Sequence, residues 1–157
     1  MEKRNPREWL CFKRTVRFGE TDAAGVVHFL ELFRWCHEAW EESLERYGLI
    51  ASEIFPNANS GRDHTRISIG LPIVHCEADF WKPMQTGDQL EIQLTPQNLN
   101  RGKLQIKYKF KQKSEDIAQA LVRHQAINSL TRSISTLPEG IELWLEASVL
   151  NQGITSC

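Results

Sequence analysis

Two acids, Glu20 and Asp22, stand in the segment RFGETDAAGVVHFLELFRWCHEAWEESLERYG, Arg17 to Gly48, just ahead of a small-residue turn, a histidine and a long amphipathic run. A helix starting there leaves its first backbone N–H groups unpaired and carries about half a unit of positive charge at that end, which suits an oxyanion developing on a substrate carbonyl. Ala23, Ala24 and Gly25 are small enough to let a carbonyl approach the backbone around Val27, His28 and Phe29. Asp22 would stand beside that carbonyl as a nucleophile or as a base for water. An aspartate in this place also serves as a helix cap or closes an Asx-turn, and spacing alone leaves both readings open.

Other chemistries find less support. HEAWE, His37 to Glu41, looks like a zinc-protease helix, but Glu41 occupies the position where HExxH needs its second histidine, so a charged helical face explains it more simply and no metal site is expected. No GxSxG elbow, P-loop or GxGxxG fingerprint occurs. Lys103, Lys107, Lys109, Lys111 and Lys113 share one face of a strand pattern and read first as a solvated face. With Arg101, Arg123 and Arg132 they form an alternative set for the phosphates of a nucleotide-bearing substrate. His75 and His124 lie in strand patterns and read first as structural, whereas His28 adjoins the carbonyl site.

The elements that must position these groups follow from periodicity. Residues 9–18, WLCFKRTVRF, alternate as a first strand. From Phe29 the apolar residues Leu32, Phe33, Cys36, Trp40, Leu44 and Tyr47 fall at helical spacing, and Gly48 is suited to a left-handed C-terminal stop. LPIVHCEADFW, QLEIQLTPQNL, KLQIKYKFKQK and IAQALVRHQAINSL, separated by turns at Gly87–Asp88, Asn100–Gly102 and Ser114–Asp116, read as four consecutive antiparallel strands. PEGIELWLEAS reads as a short terminal helix, and NANSGRDHT, residues 57–65, as a loop. This pattern describes an α+β domain, a curved sheet around one helix, with an exposed edge that favours a dimer.

Composition narrows the partners. A chain of 157 residues suits a single domain, 1–157. With 19 Lys and Arg against 20 Asp and Glu, no global field attracts nucleic acid or an anionic membrane. No apolar run spans a bilayer, no signal peptide is evident, and four scattered cysteines read as reduced thiols, so a soluble cytoplasmic protein is expected.

VRFGETDAAGVVHFLELFRW resembles the signature of the 4-hydroxybenzoyl-CoA thioesterase family, and LPIVHCEADFWKPMQTGDQLEI is similar to that family's second strand and Gly-Asp turn. The resemblance implies a hotdog fold, a curved antiparallel sheet wrapped around one long central helix. It implies Asp22 as the catalytic carboxylate and the Phe29 backbone N–H as the donor to the thioester carbonyl. It implies no metal or redox cofactor, and homodimers or homotetramers with each site at a subunit interface. CHEAWEESL and the LPIVH, DF, P and GD positions of LPIVHCEADFWKPMQTGD are most similar to the cyanobacterial branch acting on 1,4-dihydroxy-2-naphthoyl-CoA in phylloquinone synthesis. The implied activity is hydrolysis of that aryl-CoA thioester; 4-hydroxybenzoyl-CoA, a fatty acyl-CoA or acyl-carrier-protein thioester, and a non-catalytic acyl-CoA-binding module are the alternatives. Gly25, Val27, His28, Trp35 and His75 are then candidates for the substrate pocket, and Arg123 and Arg132 for CoA. Ala23 and His28 depart from the proline and tyrosine of many relatives.

Overall fold

The computed structural model describes residues 4–56 and 68–149. Its elements are helix α1 (Arg7–Leu10), strand β1 (Cys11–Thr15), a 3-10 turn (Phe18–Glu20), helix α2 (Phe29–Tyr47) and helix α3 (Ala51–Ile54). They continue with β2 (Ile69–Gly70), β3 (Ile73–Phe80), β4 (Gln89–Asn100), β5 (Lys103–Gln112), β6 (Glu115–Gln125), β7 (Ile127–Asn128) and α4 (Glu139–Val149). The loop expected over residues 57–65 lies outside the described residues.

The main sheet is antiparallel in the order β1-β4-β5-β6-β3, and β2 pairs with β7 apart from it. Alternation in β5 points Leu104, Ile106, Tyr108 and Phe110 inward while the lysines face out. The inner face is covered by α2, which buries Leu32, Trp35, Cys36, Ala39, Trp40 and Leu44 on one stripe. Gly48 ends α2 at φ 117°, and Leu49 N–H returns to the Leu44 carbonyl at 3.0 Å, a terminus that a left-handed residue makes possible. This is the expected α+β architecture of a curved sheet around one long helix.

Three expectations need correction. The first strand is shorter than 9–18, because Trp9 and Leu10 close a helical turn whose indole N–H donates to Ser148 at 2.9 Å. The four later strands are not one meander: β4, β5 and β6 are sequential neighbours, but β3 pairs with β6 at the far edge. The chain from Trp81 to Asp88 therefore crosses the end of the sheet, and Trp81 and Lys82 N–H groups bond to the Ile117 carbonyl on the way. Finally, Cys36 and Cys76 are free, whereas Cys11, half-buried where α1 meets β1, is disulfide-bonded. Among the described residues no helix is long and apolar enough to cross a membrane.

Candidate active site

The segment between the 3-10 turn and α2 is a backbone-closed clip. His28 N–H donates to the Glu20 carbonyl at 2.9 Å, Asp22 N–H to the Val26 carbonyl at 2.8 Å, and Gly25 N–H to the Asp22 carbonyl at 3.0 Å. A fourth bond, Val27 N–H to the Met84 carbonyl at 2.8 Å, ties the clip to the crossing segment. The tight return needs Gly25 at φ 78°, which glycine adopts without steric cost.

Asp22 closes an Asx-turn and does not cap α2. Its Oδ1 accepts from Ala24 N–H at 2.8 Å, an Asx-turn that fixes the carboxylate's direction. Among the described residues the side chain has no other partner, so Oδ2 is available, and the side chain is exposed. The cap of α2 is instead His28, whose Nδ1 accepts from Leu30 N–H at 3.3 Å while its carbonyl accepts from Glu31 N–H at 2.9 Å. The Phe29 N–H between them has no acceptor among the described residues. An unpaired amide at the positive end of a long helix is a ready donor to a developing oxyanion.

Asp22 and Phe29 line the same cleft, of about 370 Å³, with Val26 and Val27. Its opposite wall is Phe80 to Met84, a stretch that residue-type reasoning missed. Phe80 and Trp81 are half-exposed and Lys82 pairs with Glu115, so the cleft has an aromatic lip with a cation beside it. The signal was present as two consecutive aromatics followed by Lys-Pro, which cannot both be core in a strand.

Glu20 holds the clip against the helix. It is 5 % exposed, and its Oε1 accepts from Trp35 Nε1–H at 3.1 Å, from Arg34 at 3.2 Å and from Arg14, while Oε2 accepts from Arg17 N–H at 2.8 Å. Burial alone would raise its pKa; the Arg17 amide, the Arg14 and Trp35 hydrogen bonds and the Arg14 charge together outweigh burial and hold the carboxyl below its ordinary value. Arg14 also lies over the Trp35 ring, 4.8 Å from its centroid.

The structure divides the residues expected to form a pocket. Gly25, Val27 and His28 belong to the clip, and His28 stacks on Phe29 with ring centroids 4.6 Å apart. Trp35 is not at the cleft: it is 1 % exposed, in the core under Glu20. His75 and Arg123 are cross-strand partners on the outer face of the sheet, away from α2. There His75 meets Glu77 at 3.3 Å and Arg123 donates to Gln105 at 2.8 Å. Arg132 lies in the turn after β7 at φ 61° and does not line the cleft. His37 pairs with Glu41 at 3.3 Å, as a charged helical face does, and no group of three or more His, Cys, Asp or Glu that could hold a metal occurs among the described residues.

Comparison with known proteins matches this arrangement. The family model described as the thioesterase-like superfamily covers residues 16–145. A 1,4-dihydroxy-2-naphthoyl-CoA hydrolase of Prochlorococcus marinus (strain NATL1A) is 52% identical over 151 residues, 96% of this chain and 99% of that protein. The crystal structure of a putative thioesterase from Prochlorococcus marinus (strain MIT 9313) superposes with a TM-score of 0.85 at 53% identity, covering 92% of this chain and 99% of that one. That of a 1,4-dihydroxy-2-naphthoyl-CoA thioesterase from Synechocystis superposes with a TM-score of 0.76 at 27% identity, covering 87% of this chain and 94% of that one. A helix wrapped by an antiparallel sheet, an acid-bearing clip at the helix start and a match over most of the length lead to one conclusion: the chain belongs to the thioesterase-like superfamily and has its hotdog fold.

Proposed function

We propose that the protein hydrolyses 1,4-dihydroxy-2-naphthoyl-CoA to the free acid and CoA, the step that the sequence resemblance links to phylloquinone synthesis. The observation that carries the chemistry is the pairing, in one cleft, of an unpaired helix-terminal N–H at Phe29 with a carboxylate at Asp22 that keeps one oxygen free. The substrate is supported by relatives of that name at 50–54% identity.

A thioester carbonyl seated on the Phe29 N–H becomes a better electrophile, and the charge growing on its oxygen meets a donor that needs no reorganisation. Asp22 Oδ2 then attacks the carbonyl carbon or takes a proton from the water that does so; Oδ1 stays on Ala24 N–H and keeps the group aimed. Neither route calls on a cofactor. One domain spanning residues 1–157 carries the site, in the cytoplasm where CoA esters are made and used.

The reading includes a homodimer or homotetramer. Among the described residues β3 is an edge strand with unpaired backbone groups along one side, and Ile73, Val74, Phe80 and Trp81 on or beside it are half-exposed, the kind of edge that pairing with a second copy removes. In such an assembly the CoA phosphates meet Arg123 or Arg132 of a neighbouring protomer, since neither lines the cleft of its own chain.

The test is thiol release from 1,4-dihydroxy-2-naphthoyl-CoA, 4-hydroxybenzoyl-CoA and palmitoyl-CoA by the wild type and by Asp22→Asn. The dihydroxynaphthoyl ester should be hydrolysed with the highest kcat/KM, and the amide variant should lose about 10²–10⁴-fold in kcat with its fold intact. A higher kcat/KM for either other ester would discard the substrate, and wild-type turnover by the variant would discard the mechanism.

A further inference from the structure

Beyond Phe29, α2 presents further residues toward the edge strand. Phe33 and His37 continue the same helical stripe at four-residue spacing. Facing it, β3 turns Phe80, Ala78 and Cys76 inward, since they pair with the buried Ala118, Ala120 and Val122 of β6. These residues frame a seam between α2 and the edge strand, about 12 Å long from Phe29 to His37 at about 1.5 Å per residue, with the cleft at one end. At its far end is a second cavity, of about 40 Å³, bounded by Phe33, His37, Ile73 and Cys76, with Tyr108 and His124 among its lining residues.

Both of those polar residues are buried and incompletely satisfied. Tyr108 is 1 % exposed, and its hydroxyl has no hydrogen-bond partner among the described residues. Across the sheet its row is Leu94, Tyr108, Ala120 and Ala78, so two small residues leave space between the phenol and the edge strand. His124, also 1 % exposed, has Nδ1 2.9 Å from the Leu71 carbonyl. A carbonyl only accepts, so Nδ1 carries the proton and Nε2 is an acceptor, without a partner among the described residues. Burial lowers the pKa of the imidazole, against the Leu71 bond and with the His37 charge, and raises that of the phenol, with a smaller contribution from Cys36; the pair is neutral, one donor and one acceptor.

A ring hydroxyl entering that cavity finds a donor in Tyr108 and an acceptor in His124 Nε2. An alkyl chain in the same place leaves both unsatisfied, which is how a site built for a hydroxyl rejects an analogue lacking one. We propose that the seam between α2 and β3 is the acyl slot, and that Tyr108 and His124 at its far end select a hydroxylated aromatic acyl group by binding a ring hydroxyl. This rests on the thioesterase reading and extends it to substrate choice.

The experiment compares wild type and Tyr108→Phe on 1,4-dihydroxy-2-naphthoyl-CoA and 2-naphthoyl-CoA. The variant should lose about 3- to 10-fold in kcat/KM on the dihydroxy ester, the worth of one neutral hydrogen bond, and stay within about 2-fold on the unsubstituted ester. Equal losses on both, or an unmoved ratio, would overturn the assignment. Cys76→Phe fills the seam from the strand side and, with light scattering showing the wild-type oligomer, should raise KM for both esters; an unchanged KM in that oligomer would refute the slot even if Tyr108→Phe fails to fold. Wild-type protein that releases no thiol from either ester refutes the thioesterase reading itself, whereas wild-type turnover with an unmoved ratio refutes only the slot.

Discussion

Replacing Glu20 by glutamine tests whether the clip is held electrostatically. Oε1 accepts from Arg14, Arg34 and Trp35, and Oε2 accepts from Arg17 N–H, so both oxygens face donors. A glutamine amide must turn its NH₂ toward one of these sets whichever way it flips, setting donor against donor in a site only 5 % exposed. Breaking a buried ion pair by removing one partner costs about 3–5 kcal/mol. Here Arg14 keeps Glu38 at 3.0 Å, and Arg34 is half-exposed with Glu31 at 2.9 Å, so we expect about 2–3 kcal/mol, somewhat below that range. At about 2–4 °C per kcal/mol for a chain of this size, Tm should fall by about 4–12 °C. The sign with pH is set by the depressed pKa: the folded protein holds Glu20 ionised below the ordinary 4.5, so its contribution is full above that value and is lost as pH falls through the folded pKa. Urea denaturation at neutral pH and at successively lower pH should show the variant less stable at neutrality and the gap closing in acid, with m unchanged. A variant within about 0.5 kcal/mol of wild type, or one that keeps the whole acid limb, would refute the reasoning.

Three further outcomes follow. Phe29→Pro deletes the unpaired N–H at a helix position where proline is tolerated and where His28 is already extended at φ −67°, ψ 136°; kcat should fall about 10²–10³-fold with the circular dichroism spectrum intact, and Phe29→Ala, which keeps the N–H, should retain far more activity. Gly102→Ala should destabilise by more than about 3 kcal/mol, because its Cβ would lie 1.9 Å from the Ser135 carbonyl oxygen at φ 74°, and a melting curve like that of wild type would contradict the packing. Light scattering should find a dimer or tetramer, and Val74→Lys on the β3 edge should shift it toward monomer; a wild-type monomer with full activity would remove the interface from the reading.

Helix α2 was legible from end to end because its apolar stripe, its first residue and its terminal Gly48 all act within a few residues of one another. Pairing was less legible. Alternation in IVHCEADF indicates which residues share a face, yet says nothing of which strand lies alongside, and proximity in sequence suggested β4 where the fold uses β6. The same alternation did separate Cys76, Ala78 and Phe80 from His75, Glu77 and Asp79, so the outward placement of His75 was readable once its strand was. Trp35 drew attention as an aromatic near the helix start, although its position on the buried stripe already placed it under the sheet. That Asp22 and Phe29 lie on one cleft was legible because a helix terminus is local, whereas their proposed roles came from the family resemblance. Phe80 to Met84 were missed because only the crossing of the chain brings them opposite.

The unpaired amide of Phe29 also makes the protein its own indicator. Leu30 and Glu31 N–H are both bonded to His28, so in the free enzyme these neighbours should exchange slowly with solvent deuterium while Phe29 exchanges fast. A carbonyl or carboxylate that enters the cleft gives this amide an acceptor that none of the described residues provides. Its nuclear magnetic resonance signal should then move downfield and its exchange should slow, with Leu30 and Glu31 as internal references. Occupancy of the site becomes measurable for ligands that are never turned over and carry no chromophore, and a series of acids and esters can be ranked by binding alone, apart from the rate at which any of them is cleaved.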